Sequence, residues 1–159
     1  MNLSSGVANF YLGLKETVRA IGVRVIADHQ GGVKGASSIP VGSPVLAQPG
    51  LSSLLSLAAS KHVVIKISGL YQSSDSVETV YSDLEPLIRE FAQKVPDSLI
   101  WGSDWPHTGK GKDRIGKSVE VPELFQRIDD AKIIRRLQAW VGQSTWRMML
   151  VETPDKMFQ

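Results

Sequence analysis

The chain contains no cysteine among its 159 residues. A disulfide framework, a thiolate nucleophile and a zinc site built from cysteine sulfur are therefore excluded. Absence of disulfides is typical of proteins from reducing compartments, and on this basis we expect a cytoplasmic protein.

Long apolar stretches are also missing from the sequence. No segment reaches the roughly 18 consecutive apolar residues that a membrane-spanning helix requires, so we predict that the chain does not cross a membrane. Residues 1–7 lack both a basic flank and a long apolar core, and we expect no secretory signal there.

Neither sign of charge predominates. There are 18 basic and 16 acidic residues, which gives a formal net charge of +2 and indicates no nucleic-acid partner. The one basic stretch contains Lys110, Lys112, Arg114 and Lys117. We interpret it either as a solvated loop or as a mobile cationic lip that attracts a carboxylated substrate.

What is present is the composition of a globular domain, with 42% hydrophobic and 21% charged residues. Apolar runs typical of strands occur at residues 23–27, 62–68 and 98–101, and their starts lie roughly 40 residues apart, the spacing of repeated βα units. We therefore predict an α/β fold with a parallel sheet, forming a single domain over residues 1–159.

Helical spacing of apolar residues predicts the other elements. Pro86 is expected to bend or split the longest of these helices. A glycine-, serine- and proline-rich loop is expected at residues 33–50. The predicted helices cover residues 8–21, 51–60, 76–94, 129–141 and 144–151.

Reactive groups in parallel βα folds collect where strands end. His29 directly follows the first predicted strand, and Asp104 follows the third. We predict Asp104 as a general base or metal ligand, with a turn-capping role as the alternative. His29 is a second candidate for the site, and the alternative is that it only stabilises its turn. His62 begins a strand, so we expect it at the opposite edge in a structural or solvated role.

Three further residues are candidates for substrate binding, each with an open alternative. Lys66 interrupts an apolar strand and either reaches the strand ends or extends outward to solvent. Tyr71 follows a strand-ending glycine and either donates a hydrogen bond to a ligand or packs beneath the loop. His107 either binds substrate or is only a loop residue without a functional role.

Other catalytic arrangements do not fit. Ser103 and Asp104 are neighbours on an extended segment and point to opposite sides, so they form no nucleophile triad. The glycines around Lys110 lack the spacing of a phosphate-binding loop.

Residues 100–107, with the sequence Ile-Trp-Gly-Ser-Asp-Trp-Pro-His, resemble the last-strand signature of the amidohydrolase-related (amidohydrolase 2) family. The similarity is greatest to its 2-pyrone-4,6-dicarboxylate lactonase-like branch. Residues 25–31 and 65–71 resemble two earlier strand segments of that family, in the expected order. Residues 151–158 resemble its closing motif, with Thr153 in place of the usual asparagine.

The resemblance implies the carboxyl-terminal half of a (β/α)₈ TIM barrel that hydrolyses lactones or related esters and amides. It implies that Asp104 activates the attacking water, that His29 belongs to the catalytic site, and that Tyr71 and His107 line the substrate pocket. The lactonase branch works without an obligatory metal, so we expect no cofactor. Other branches place a divalent metal such as zinc on the positions of His29 and Asp104.

The chain also departs from the family. It has no His-x-His pair, and three strands are recognisable where four are expected. Either a fourth strand lies near residues 33–50 or beyond, or the strand count is irregular here. Four interpretations remain open: a lactonase-type hydrolase, completed where necessary by a homodimer; a truncated, inactive relative; a metal-dependent decarboxylase relative; or a scaffold without catalytic ancestry. For the first, we expect a carboxylated or aromatic lactone as substrate.

Overall fold

A three-stranded parallel sheet forms the centre of the molecule. The structure is a computed structural model that describes residues 17, 20, 22–110, 115–118 and 120–158. The strands are β1 (Val25–Ala27), β2 (Val63–Ile67) and β3 (Leu99–Trp101), in the spatial order β1-β2-β3. Both pairings are parallel, which confirms the predicted α/β class and the parallel sheet.

The register aligns the carboxyl ends of the three strands. Ala27 lies opposite Ile65, and Ile65 lies opposite Leu99, while Ile67 pairs with Trp101. Because all three strands run in one direction, the loops that follow them leave from the same edge of the sheet. We call this edge the carboxyl edge.

One face of the sheet forms the hydrophobic core with the helices. Ala27, Ile65 and Leu99 share this face and are almost fully buried. Side chains alternate along a strand, so the residues between them lie on the other face. There Ile26 is 39% exposed and Lys66 is half-buried, which makes this second face less completely covered.

Five α-helices accompany the sheet in the described part of the chain. The longest is kinked where Gly142 adopts the non-helical angles φ 77° and ψ 164°. A π-helical segment, Met148–Glu152, joins it to the last helix. The helices are α1 (Leu51–Ala59), α2 (Leu70–Ser73), α3 (Glu85–Lys94), α4 (Asp130–Arg147) and α5 (Thr153–Met157).

The helix predicted over residues 76–94 is wrong in its first half. Helix α3 begins at Glu85 and has Pro86 in its first turn, where a missing backbone N–H is tolerated. Ahead of it, Val80 and Tyr81 have positive φ angles of 54° and 58°, which no right-handed helix accommodates. Proline thus marks the start of this helix and does not bend its middle.

The fourth strand sought near residues 33–50 is also absent from this stretch, which the structure describes in full. The segment contains the 3₁₀ turns Ala36–Ser38 and Val45–Ala47, so the predicted loop is confirmed. Gln48 fastens it by donating a hydrogen bond of 2.7 Å to the carbonyl of Lys34. The helix predicted over residues 8–21 lies outside the described residues, apart from Thr17 and Ala20.

Within the described ranges, none of the helices combines the length and the apolar character needed to traverse a lipid bilayer.

Candidate functional site

The predicted catalytic pair meets at the carboxyl edge. His29 begins a short turn immediately after β1, and Asp104 follows β3. Nε2 of His29 lies 3.9 Å from Oδ1 of Asp104 and also 3.9 Å from Oδ2 of Asp28. The imidazole therefore stands between two carboxylates. The side chains of His29 and Asp104 are 35% and 20% exposed, so a small molecule can reach both.

The backbone at these positions is held in an unusual conformation. His29, Gln30 and Asp104 have positive φ angles of 49°, 57° and 69°. Residues with side chains adopt such angles at an energetic cost that surrounding contacts offset, and such residues cluster at functional sites. Gln30 supplies one such contact, because its Nε2 donates a 2.8 Å hydrogen bond to the carbonyl of Ser68.

Tyr71 links the helix α2 to Asp104. Its hydroxyl donates a 2.7 Å hydrogen bond to Oδ2 of Asp104. Burial, together with this hydrogen bond, raises the pKa of Tyr71 well above its ordinary value, so the phenol stays protonated at neutral pH and keeps donating. One oxygen of Asp104 is thereby engaged, and the other faces His29.

Asp28 is the centre of a second hydrogen-bonded group. Oδ1 accepts hydrogen bonds from the Ser68 hydroxyl and, at 2.8 Å, from the backbone N–H of His29, while Oδ2 accepts one at 3.1 Å from Nζ of Lys66. Burial opposes ionisation of Asp28, but the bonds from Ser68, His29 and Lys66 outweigh it and lower the pKa of this carboxyl. Asp28 therefore holds the turn that carries His29.

Lys66 reaches the carboxyl edge. A Cβ placed on Gly102 would lie 2.7 Å from Cε of Lys66, so the lysine stem runs directly over Gly102 at the end of β3. Its ammonium group then meets Asp28. Of the two alternatives left open by the sequence, the structure shows the one directed to the strand ends. Binding of substrate by Lys66 stays a prediction.

His107 lies beside Tyr71 and is 7% exposed. The two rings meet edge to face, with centroids 5.8 Å apart and planes at 87°. Nε2 of His107 is 3.2 Å from Oδ2 of Asp130, in the first turn of α4. The structure thus brings His107 close to the site through Tyr71, and its predicted contact with substrate stays a prediction.

His62 lies at the start of β2, away from the carboxyl edge, and its Nδ1 is 2.9 Å from the Ser60 hydroxyl. In the basic stretch, Lys110 pairs with Asp75 and donates a 3.2 Å hydrogen bond to the carbonyl of Ser74. Lys110 is therefore tied to the loop after β2. Residues 112 and 114 lie outside the described ranges.

A divalent cation fits the ligand types at the edge. Ligand atoms of Asp28, His29 and Asp104 all lie within 4.8 Å of one another. One imidazole nitrogen and two carboxylate oxygens form a donor set that suits zinc or manganese. The ammonium group of Lys66 contacts Oδ2 of Asp28, however, and already neutralises the charge that a metal would share. The fit is best for His29 and Asp104, with Asp28 available only if Lys66 moves.

Sequence reasoning missed Asp28, Ser68, Gly69 and Asp130 as parts of the site. Asp28 directly precedes His29, and this adjacency was the available signal. Gly69 has a φ of +48°, and a Cβ there would lie 2.5 Å from Oδ2 of Asp104 and 2.8 Å from Nδ1 of His29. The absence of a side chain at Gly69 therefore leaves the space in which His29 and Asp104 approach each other.

We expect Gly69→Ala to disrupt the pair more than it disrupts the fold. The new methyl group would displace the ends of Asp104 and His29, so the Tyr71–Asp104 hydrogen bond would weaken and the pKa of Tyr71 would fall toward about 10. Gly42→Ala is a matched control, because Gly42 also has a positive φ (+81°) but nothing within 4 Å of its added Cβ. Titration of tyrosinate absorbance measures the effect, and an equal response in both variants would contradict the assignment.

Acidification should reveal the role of Asp28. Its pKa is lowered in the folded state, so its ionised form adds stability above its unfolded pKa of about 3.9. That contribution disappears as the pH falls through the folded pKa. At neutral pH, Asp28→Asn should therefore have a lower free energy of unfolding in urea than the wild type. When the pH falls below about 4, that free energy should decrease less in Asp28→Asn than in the wild type. The control is Asp155→Asn, an exposed carboxylate on α5. A variant as acid-sensitive as the parent chain would refute the prediction.

Comparison with known proteins gives a consistent set of relatives. Over 97 residues the chain is 34% identical to a 4-sulfomuconolactone hydrolase of Rhizobium radiobacter, covering 61% of this chain and 30% of that protein. Over 112 residues it is 28% identical to a D-galactarolactone isomerase of Agrobacterium fabrum, covering 70% of this chain and 34% of that protein.

A solved structure shows the same fold. It is described as a 2-pyrone-4,6-dicarboxylic acid hydrolase of Acinetobacter baumannii with citric acid bound, with a TM-score of 0.64 and 22% identity. The match covers 98% of this chain and 49% of that one, so the chain spans about half the length of this neighbour. Its matched part spans about a third of each curated relative.

A family model described as amidohydrolase matches residues 15–142, most of the chain. The strand-end carboxylates and histidine lie within the matched range, and the relatives named above include a lactone hydrolase and a lactone isomerase. The chain belongs to the amidohydrolase family.

Proposed function

We propose that this chain provides the acid–base half of a lactone-hydrolysing site, with Asp104 as the general base. The observation that carries the proposal is the hydrogen bond from Tyr71 to Oδ2 of Asp104, with Oδ1 directed toward His29. Because Tyr71 occupies one carboxylate oxygen, the other is the oxygen available to accept a proton from water.

The proposed reaction follows from this arrangement. Water transfers one proton to Oδ1 of Asp104 while its oxygen bonds to the lactone carbonyl carbon, and the carbonyl electrons move onto the carbonyl oxygen. When the carbonyl forms again, the ring C–O bond breaks. The proton on Asp104 passes to the departing ring oxygen, which leaves a hydroxy acid and restores the carboxylate.

His29 and Lys66 have complementary parts in this proposal. An N–H at Nε2 of His29 would donate to the negative oxygen that develops on the carbonyl, where such a donor has its largest effect. Lys66 lies on the same edge through its contact with Asp28 and would attract a carboxylate of the substrate. Tyr71 and His107 would form the adjoining wall.

A carboxylated lactone is the substrate class that the named relatives and one structural neighbour favour. The named relatives act on lactones, and the neighbour of known structure holds citric acid, a small polycarboxylate. The lysine at the carboxyl edge would match such a substrate. The ring and its substituents would be selected by groups beyond the described residues.

The proposal also includes how the sheet belongs to a larger barrel. We propose that the sheet, with three of the four strands that half a barrel contains, belongs to a (β/α)₈ barrel, since the chain spans about half of its structural neighbour. Within the described residues, β1 and β3 each pair with β2 alone. A second copy related by twofold symmetry could pair with both free edges and complete a barrel as a homodimer.

A metal-dependent reaction, including decarboxylation, is the second candidate, and the grouping of Asp28, His29 and Asp104 is the observation that favours it. His29 and Asp104 would hold the ion, with Asp28 at the third position. A bound divalent cation would supply electrophilic activation of the substrate carbonyl or carboxylate. In the principal proposal the chain needs no cofactor.

The test of the principal proposal is Asp104→Asn in the full chain. Wild-type protein should open carboxylated lactones, such as 2-pyrone-4,6-dicarboxylate, with release of acid that a pH indicator records. Loss of the base should lower turnover by about 10²- to 10⁴-fold. His62→Gln, at the other edge, should leave the rate unchanged.

The outcomes separate the candidates. Turnover that survives Asp104→Asn at the original rate means that Asp104 is not the base. Turnover that a chelator abolishes and added zinc or manganese restores favours the metal-dependent candidate. A folded chain that opens no lactone at any concentration supports an inactive relative.

Dilution tests the proposed homodimer. If two copies complete the site, specific activity should fall as the protein is diluted, in parallel with a change from dimer to monomer in analytical ultracentrifugation. Asp104→Asn protein mixed with the wild type should form dimers as the wild type does. Activity that is proportional to concentration in a preparation containing only monomer would contradict the homodimer.

A further inference from the structure

The pair His107–Asp130 is unusual because the histidine is buried. Its hydrogen-bond partner, the carboxylate of Asp130, belongs to no motif in the sequence. His107 is 7% exposed, whereas the Asp130 side chain is 32% exposed. The two residues are 23 positions apart, at either end of the segment that leads from β3 to α4. Their contact therefore fastens the segment after β3 to a helix.

Asp130 is not needed to cap that helix. The preceding residue, Asp129, is the N-cap of α4, and its side chain accepts a 3.0 Å hydrogen bond from the N–H of Lys132. This satisfies one of the free donors of the first turn. The carboxylate of Asp130 is left for a different partner, and that partner is the imidazole of His107.

The hydrogen bond defines the state of the imidazole. An ionised carboxylate only accepts, so Nε2 of His107 carries the hydrogen. Nδ1 is buried and has no hydrogen-bond partner among the described residues. The side chain is thus held through Nε2, and the backbone is held separately, since the carbonyl of His107 accepts a 2.7 Å hydrogen bond from the N–H of Gln126.

The fixed imidazole meets Tyr71 edge to face. Such an aromatic contact adds to the energy of burial, and its geometry depends on both rings being fixed. Tyr71 in turn donates to Oδ2 of Asp104. The contacts therefore form an ordered series from Asp130 to the proposed base.

We propose that Asp130 is a positioning residue for the reaction: by holding His107 against Tyr71, it keeps the phenol on Oδ2 of Asp104 and leaves Oδ1 as the oxygen that accepts the proton. The inference rests on the proposed function for its catalytic meaning. Its structural content, that Asp130 controls the environment of Tyr71, is tested without any substrate.

The experiment is a crystal structure of Asp130→Ala, in which the separation of the Tyr71 hydroxyl from Oδ2 of Asp104 is compared with the present 2.7 Å. Once His107 is released, the phenol should move away and this separation should exceed about 3.5 Å, beyond hydrogen-bond reach. Asp130→Asn should keep the hydrogen bond, because the amide oxygen still accepts from Nε2 of His107. Asp129→Ala is the matched control: it removes the adjacent carboxylate and the helix cap but should leave Tyr71 unchanged.

A second variant guards against one that fails to fold. His107→Gln should separate the Tyr71 hydroxyl from Asp104 as Asp130→Ala does, and combining the two should add nothing, because both interrupt one series of contacts. If His107→Gln folds and keeps the Tyr71–Asp104 hydrogen bond, the inference is overturned. Additive displacements of Tyr71, or equal displacements in Asp130→Ala and Asp129→Ala, overturn it too.

Kinetics then separate this inference from the proposed function. With lactone turnover present, Asp130→Ala should lower kcat by about 10- to 100-fold, since a displaced catalytic group loses alignment with its substrate. KM should stay near the wild-type value, and Asp130→Asn should recover most of the rate. If Asp104→Asn leaves turnover intact while Asp130→Ala still shifts Tyr71, the proposed function fails and the positioning series stands.

Discussion

Parallel pairing of β2 with both of its neighbours is the constraint on which the site depends. The register brings three loop starts to one edge, so side chains from widely separated parts of the sequence meet there. His29 and Asp104 are 75 positions apart, yet their side chains approach to 3.9 Å. The core beneath the sheet, with Ile65 and Leu99 completely buried, keeps that register fixed.

Much of this arrangement could be predicted from the sequence. Apolar runs identified all three strands, and the rule that reactive groups follow parallel strands identified His29 and Asp104 before any geometry was known. Periodicity identified the helix near residues 51–60, because its apolar face is regular. It failed over residues 76–84, where apolar residues have helical spacing but the backbone turns at Val80 and Tyr81. Spacing alone does not reveal a positive φ angle.

The supporting residues could not be predicted in the same way. Asp28, Ser68 and Lys66 form their hydrogen bonds across two strands, and Asp130 reaches His107 from a helix. None of these contacts has a fixed separation in sequence, so no local sequence pattern predicts them. The surroundings of Asp104 likewise include a contact that local sequence does not predict. Its neighbours along the chain predicted a base, but which of its oxygens accepts a hydrogen bond is decided by Tyr71, 33 positions away.

Gly69 limits which sequences can form this site. The space that a Cβ would fill at this position lies against both Asp104 and His29. Every other amino acid introduces that atom, so all nineteen single substitutions at this codon share one steric conflict, whatever their polarity or charge. Loop residues around the site can therefore vary in sequence, whereas a change at this position displaces the side chains of Asp104 and His29. Libraries designed to alter specificity should hold residue 69 constant and diversify the loops around it.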